Sequence, residues 1–249
     1  MTSPAVAMDV GNSRIKVGIQ CYGSIAKVVT FGHGCAELLK LIEAEAISLT
    51  GEKPSKWILA GVVPVELARL SEALHQSGAR VCLLDDQFRI GLTLSVDEPG
   101  KVGVDRLLAA KAAYHLAKDK ACMVVDAGTA LTINWVDRTG TFQGGSIQPG
   151  LKLMAKSLGD GTASLPEISS LGLGTVDWPA KNTITAIQSG LFYAMVGAVE
   201  RCWRKARDMD REASFWITGG GGEALAGFFP GVSCFQPNLV LEGMFLAAN

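Results

Sequence analysis

Apolar-rich, strand-like runs at Val6–Val10, Ile15–Cys21 and Ile25–Phe31, the second alternating apolar and polar, predict a meander of three strands. The spacing changes to a helical one near Cys35–Ile47. It is followed by the strand-length apolar run Trp57–Val63, a helix near Val65–Gln76 and a short strand at Val81–Leu84. The second half repeats the order with Cys122–Asp126, Leu131–Val136, Thr141–Ile147, a helix, and the strand Phe215–Thr218. Pro149–Pro179 is less regular and reads as a helix followed by a long loop that includes Leu171–Gly174. Asn182–Met209 predicts one extended amphipathic helix, with Ile184, Ile187, Leu191, Met195 and Val199 near one stripe.

The repetition extends to the residues between strands. Ala7–Ile19 has a looser echo in Val124–Val136, aligning Asp9 with Asp126, Gly11 with Gly128 and Asn12 with Thr129. A single Asp-x-Gly turn is an ordinary hairpin; two at a long period indicate duplicated domains. In each, an apolar strand delivers an Asp into a turn whose glycine permits close backbone approach. Backbone N–H and hydroxyl groups there can donate to phosphate oxygens, and the carboxylate can hold a hard cation. Two such turns make a phosphate clamp and point to ATP chemistry. Three strands, a helix, a strand, a helix and a strand, occurring twice, describe an α/β fold of duplicated ribonuclease-H-like domains. This is the plan of the actin-like/sugar-kinase ATPase superfamily, with domains expected at 1–117 and 118–249.

Composition narrows the class. Apolar residues make up 48% of the 249 residues, enough for a generous core. A net charge of −1 without like-charge blocks gives no sign of nucleic-acid binding or of an anionic membrane. No apolar run is long enough to span a bilayer, and Met1–Val6 lacks the pattern of a secretion signal. The six cysteines are scattered without a Cys-x-x-Cys pair, so reduced thiols in a cytoplasmic protein are expected.

Other motifs lie beside the repeated turns. Gly103-Val104-Asp105-Arg106 precedes the helical run Leu107–Leu116. Asp105 there could be a plain helix cap. With Arg106 beside it, a carboxylate and a guanidinium at a helix start also suit an anionic substrate that carries a hydroxyl. Gly144–Gly150 is a glycine-rich strand exit. Thr218–Leu225 places four successive glycines between a strand and a helix, an open surface suited to a flat ring such as adenine.

In this order the motifs resemble those of the type III pantothenate kinases. The shared features are Asp9-x-Gly-Asn12, Gly103-x-Asp-Arg106, Asp126-x-Gly-Thr-Ala130, Gly144-Gly-x-Ile-x-Pro-Gly150, Asn182-Thr183 with Ala186-Ile187 and Gly190, and Thr218-Gly-Gly220. The resemblance spans almost the whole chain. It implies phosphorylation of pantothenate by ATP, the first committed step towards coenzyme A, with Mg²⁺, a monovalent cation (K⁺ or NH₄⁺) and a homodimer. Carried over by position, Asp9, Val10, Gly11, Asn12, Ser13, Arg14, Ile15 and Lys16 wrap the ATP phosphates, with Asp9 facing the metal. Gly103, Val104, Asp105 and Arg106 hold pantothenate, Asp105 being the general base and Arg106 pairing its carboxylate. Asp126 binds the monovalent cation, Thr129 donates to a phosphate, and Thr183 contacts substrate across the dimer interface. Two positions depart from the pattern: Val96 stands where many relatives have Tyr, and Asn134 where many have Asp. The alternatives are an ATP-binding accessory factor for transcription without useful turnover, or another small-molecule kinase on this fold.

Overall fold

The computed structural model describes residues 4–35, 37–168 and 177–248, so the expected loop at Leu171–Gly174 lies outside the described residues. The chain opens with β1 (Ala5–Val10), β2 (Ile15–Cys21), β3 (Ser24–Phe31), α1 (Leu38–Thr50), β4 (Lys56–Gly61), α2 (Pro64–Gln76), β5 (Val81–Leu83) and α3 (Gln87–Ile90). A two-residue strand β6 (Thr93–Leu94) precedes α4 (Val104–Leu116). Then come β7 (Cys122–Ala127), β8 (Ala130–Val136), β9 (Thr141–Pro149), α5 (Leu151–Gly161), α6 (Thr183–Met209), β10 (Ser214–Thr218), α7 (Gly222–Ala226), β11 (Cys234–Phe235) and α8 (Leu239–Ala247).

Two compact units result. The first gathers Met1–Leu92, Asp97–Ala112 and Leu239–Asn249; the second gathers Thr93–Val96 and Ala113–Asn238. Both repeat one topology. The first sheet runs β3-β2-β1-β4-β5, and the second runs β11-β10-β7-β8-β9-β6. In each, the Asp-bearing central strand pairs antiparallel with the next strand and parallel with the one beyond the helix. This is the duplicated ribonuclease-H-like plan expected from the sequence.

In the first unit, β1 alternates. Val6, Met8 and Val10 enter a core with Leu38, Ile42 and Ala46 of α1 and Leu67, Leu70 and Leu74 of α2. Ala7 and Asp9 face the other side of the sheet, since successive side chains of a strand point to opposite faces. That side is covered by α8, which packs on β1 and β4. A Cβ on Gly243 would fall 2.0 Å from the Leu108 carbonyl oxygen, so α8 and α4 meet backbone to backbone. The expected division at 117/118 is therefore corrected: α8 returns to the first unit and β6 joins the edge of the second sheet. Local patterning carries no information on either long-range pairing.

The second core joins Met123, Val125 and Ala127 of β7 and Leu131 and Ile133 of β8 to Met195, Val199 and Ala206 of α6. The expected apolar stripe of α6 holds for Ile187, Leu191, Met195 and Val199, whereas Ile184 is 51% exposed. The strand expected at Trp57–Val63 stops at Gly61, because Pro64 begins α2 and Val63 caps it.

Candidate active site

The turn after β1 is closed by the Gly11 N–H donating to the Arg14 carbonyl oxygen at 3.1 Å, leaving Asn12, Ser13 and Arg14 exposed. Asp9 and Lys16 are direct cross-strand partners on the face covered by α8. The strand exit is braced from β4. The Val62 N–H donates to the Val10 carbonyl at 3.0 Å, and a Cβ on Gly61 would lie 2.5 Å from that same oxygen. From α8, Glu242 approaches Lys16. Burial pushes the Glu242 carboxyl above its usual range, and the Lys16 ammonium pulls it back down.

Still within the first unit, α4 begins one residue before Asp105. Asp105 is thus in the first helical turn rather than at the cap. Its Oδ1 accepts the Arg106 N–H at 2.8 Å. The carboxylate folds back so closely that a Cβ on Gly103 would sit 2.6 Å from Oδ1. Glycine at 103 is therefore a steric condition for this carboxylate position. Burial lowers the pKa of the Arg106 guanidinium, and the charge of Asp105 opposes the shift. A partly desolvated cation at a helix start can pair with an anionic ligand, and the carboxylate beside it can accept a proton from the ligand's hydroxyl.

The second unit repeats the turn in shortened form. The Gly128 N–H donates to the Ala130 carbonyl at 3.0 Å, and Thr129 is exposed. Asp126 is opposite Thr132 where Asp9 is opposite Lys16, which makes the second hairpin turn one residue tighter. Thr132 and Thr218 flank Asp126 on the same face, and the buried Asn134 donates Nδ2–H to the Thr132 hydroxyl at 3.2 Å. Val96 packs near Gly144 of β9 in this unit.

Two glycine segments seat this turn. Gly150 donates its N–H to the Thr129 carbonyl at 2.9 Å, and a Cβ there would lie 2.3 Å from the Gly128 carbonyl oxygen. Gly219, at φ +90°, lies where a Cβ would come within 2.3 Å of Asp126 Oδ1 and 2.7 Å of the Ala127 backbone. Gly61 on β4 and Gly219 after β10 thus do the same job in the two units, each admitting the exit of the Asp-bearing strand. Nothing in the sequence marks Gly61, whose register opposite Val10 only the sheet reveals. Part of the four-glycine run is explained by this packing: Gly222 also has no room, with the Phe235 ring 2.9 Å from a Cβ position.

Asn182 caps α6, its Oδ1 accepting the Thr185 N–H at 3.0 Å, and Thr183 opens the helix exposed. Phe192 and Met195 of α6 are buried, Met195 in the core against the second sheet and Phe192 against Phe228. Tyr193 remains 46% exposed. The most deeply buried thiol, Cys122, is pushed up to about 12 by burial and is no nucleophile. No helix among the described residues is long and apolar enough to cross a membrane.

A family model described as type III pantothenate kinase matches residues 5–205. A relative of that name from Cupriavidus pinatubonensis is 31% identical over 278 residues, covering all of both chains. Another from Agathobacter rectalis is 29% identical, covering 97% of this chain and 95% of its own. Among solved structures, a Campylobacter jejuni protein described as a candidate Baf-family transcriptional activator is similar at a TM-score of 0.61, with 20% identity and 97% and 96% of the two chains covered. The ethanolamine utilization protein EutJ from Carboxydothermus hydrogenoformans gives 0.55, with 13% identity and coverages of 99% and 90%. At these identities the structures show the fold alone.

Proposed function

The chain belongs to the type III pantothenate kinase family, and from that premise we propose how its residues carry out ATP-dependent phosphorylation of pantothenate. The observation that carries this reading is the start of α4, where Gly103 admits the Asp105 carboxylate beside the desolvated Arg106. Arg106 pairs the pantothenate carboxylate, while Gly103 and Val104 line the acceptor. Asp105 takes the proton of the primary hydroxyl as its oxygen attacks the γ-phosphorus of ATP, and ADP leaves with the bridging electron pair. Phosphoryl transfer needs alignment and charge neutralisation rather than a covalent nucleophile.

The Asp9–Lys16 hairpin is a phosphate-holding element, and the Thr129 hydroxyl is the phosphate donor that the family resemblance assigns. Among the described residues no group of three His, Cys, Asp or Glu side chains could hold a metal. A single carboxylate at Asp9 fits a Mg²⁺ that arrives with the nucleotide and keeps phosphate and water ligands. When bound, that ion neutralises phosphate charge. Asp126, with the Thr132 and Thr218 hydroxyl residues beside it, offers an oxygen-only set that fits K⁺ or NH₄⁺.

The exposed Ile147, Leu153, Ile184 and Tyr193 of the second unit support a homodimer in which Thr183 reaches substrate held by the other copy. Light scattering showing an active monomer would refute it. A cytoplasmic location fits the scattered cysteines and this metabolic role.

Labelled phosphate transfer from ATP, screened against pantothenate, simple sugars and acetate, tests the substrate class. Asp105→Asn is expected to keep ATP binding and lose turnover about a hundredfold or more. Turnover within a few-fold of wild type would reduce Asp105 to a structural role.

A further inference from the structure

The hairpin turn of the first unit has a partner outside the family motifs. His33, two residues past β3, places Nε2 2.9 Å from the Gly11 carbonyl oxygen. A carbonyl oxygen only accepts, so Nε2 carries the hydrogen whatever the charge of the ring. We propose that His33 is a positioning residue for the nucleotide turn, acting through the Gly11 carbonyl. The proposal rests on the reading of Asp9–Lys16 as the phosphate-holding element.

The argument is geometric. A trans peptide is planar, so the Gly11 C=O and the Asn12 N–H point in opposite directions from one plane. Holding the carbonyl on the His33 side fixes the Asn12 N–H on the other. It also keeps a carbonyl dipole from turning towards a bound phosphate. A backbone donor set in advance favours an anion, because no reorganisation is needed at binding.

The segment that carries His33 is itself anchored. Gly34 has φ +74°, and its backbone is among the groups that favour the charged form of the Glu66 carboxyl at the start of α2. Glu66 in turn is gripped by Arg69 through Nε at 2.9 Å and Nη2 at 2.7 Å. The Arg69 hydrogen bond, with the Gly34 backbone and the nearby His33 among the smaller causes, holds the Glu66 carboxyl below its usual range. A chain of contacts therefore runs from α2 through the β3–α1 segment to the turn, all within one unit. Structural support alone does not require a ring nitrogen on an exposed loop to meet this one carbonyl.

The test uses the full-length enzyme. His33→Ala is expected to raise both the KM for ATP and the Kd for a non-hydrolysable ATP analogue about three- to tenfold, the range of one hydrogen bond. The kcat and the KM for pantothenate should stay within about twofold. His33→Gln, whose amide Nε2 can reach the same place, should restore ATP binding to within about twofold of wild type. Unchanged ATP parameters in His33→Ala, or a Gln variant as impaired as Ala, overturn the proposal. Asp9→Asn, measured in parallel, separates the two levels. If it weakens ATP binding while His33→Ala does not, only the His33 assignment fails. If neither does, the reading of the turn fails as well.

Discussion

Replacing Gly103 by alanine tests the proposed base without touching it. The new Cβ would stand 2.6 Å from Asp105 Oδ1, whereas ordinary Cβ contacts begin near 3.4 Å and essentially none falls below 3.0 Å. The carboxylate must therefore retreat by about 0.4–0.8 Å, or the start of α4 must yield, and a misplacement near 1 Å can cost about a hundredfold in rate. We expect kcat/KM for pantothenate to fall about ten- to a hundredfold, corresponding to about 1.4–2.7 kcal/mol of transition-state stabilisation. Binding of an ATP analogue should be unaltered. Residue 103 does not adopt a left-handed φ, so the thermal midpoint should move little. The assay is coupled ADP release with pantothenate varied at saturating ATP, beside calorimetric titration of the analogue. A Gly103→Ala enzyme within about twofold of wild type would refute the reasoning, because a displaced base cannot keep its rate.

Gly219→Ala should be a stability mutation: the left-handed φ and the contacts with Asp126 and the Ala127 backbone together cost about 3 kcal/mol or more. A urea midpoint equal to wild type would contradict this. Activity is expected to need K⁺ or NH₄⁺ and to be poorly supported by Na⁺, and equal rates with Na⁺ alone would remove the role assigned to Asp126. Glu242 has its folded pKa raised above its ordinary 4.5, chiefly by burial. In the window just above 4.5 the native state binds more protons than the unfolded chain, so this group's contribution to stability is lost as pH rises through the folded pKa. Glu242→Gln should flatten that part of the urea-midpoint profile. An identical profile in wild type and variant would refute the assignment.

Much of the fold was readable because it depends on local periodicity. The β2 bounds came directly from alternation in Ile15–Cys21, and Asn182–Met209 from the 3.6-residue apolar spacing of a helix. What pairs distant segments left no such trace. β6 is too short to alternate, and the closeness of Gly243 to Leu108 depends on how two helices meet. In the site, the repeated Asp-x-Gly turns were visible, but their one-residue difference in length emerged only from the register. The family resemblance gives Gly103 to the acceptor, while the group nearest its missing Cβ is the Asp105 carboxylate itself. His33 carried no signal, since nothing in its flanking residues indicates that its ring meets Gly11.

The return of α8 to the first unit bears on how the protein is made. A ribosome releases β1–β5 and α4 more than a hundred residues before Leu239–Ala247. Until that helix emerges, the β1–β4 surface and the Leu108 backbone lack their cover, so the unit that carries Asp9 and Asp105 is completed last although its strands are synthesised first. The second unit is the one able to consolidate during translation. A released chain truncated before Leu239 should therefore be resistant to protease across 113–168 and 177–238 and cut readily within the first hundred residues.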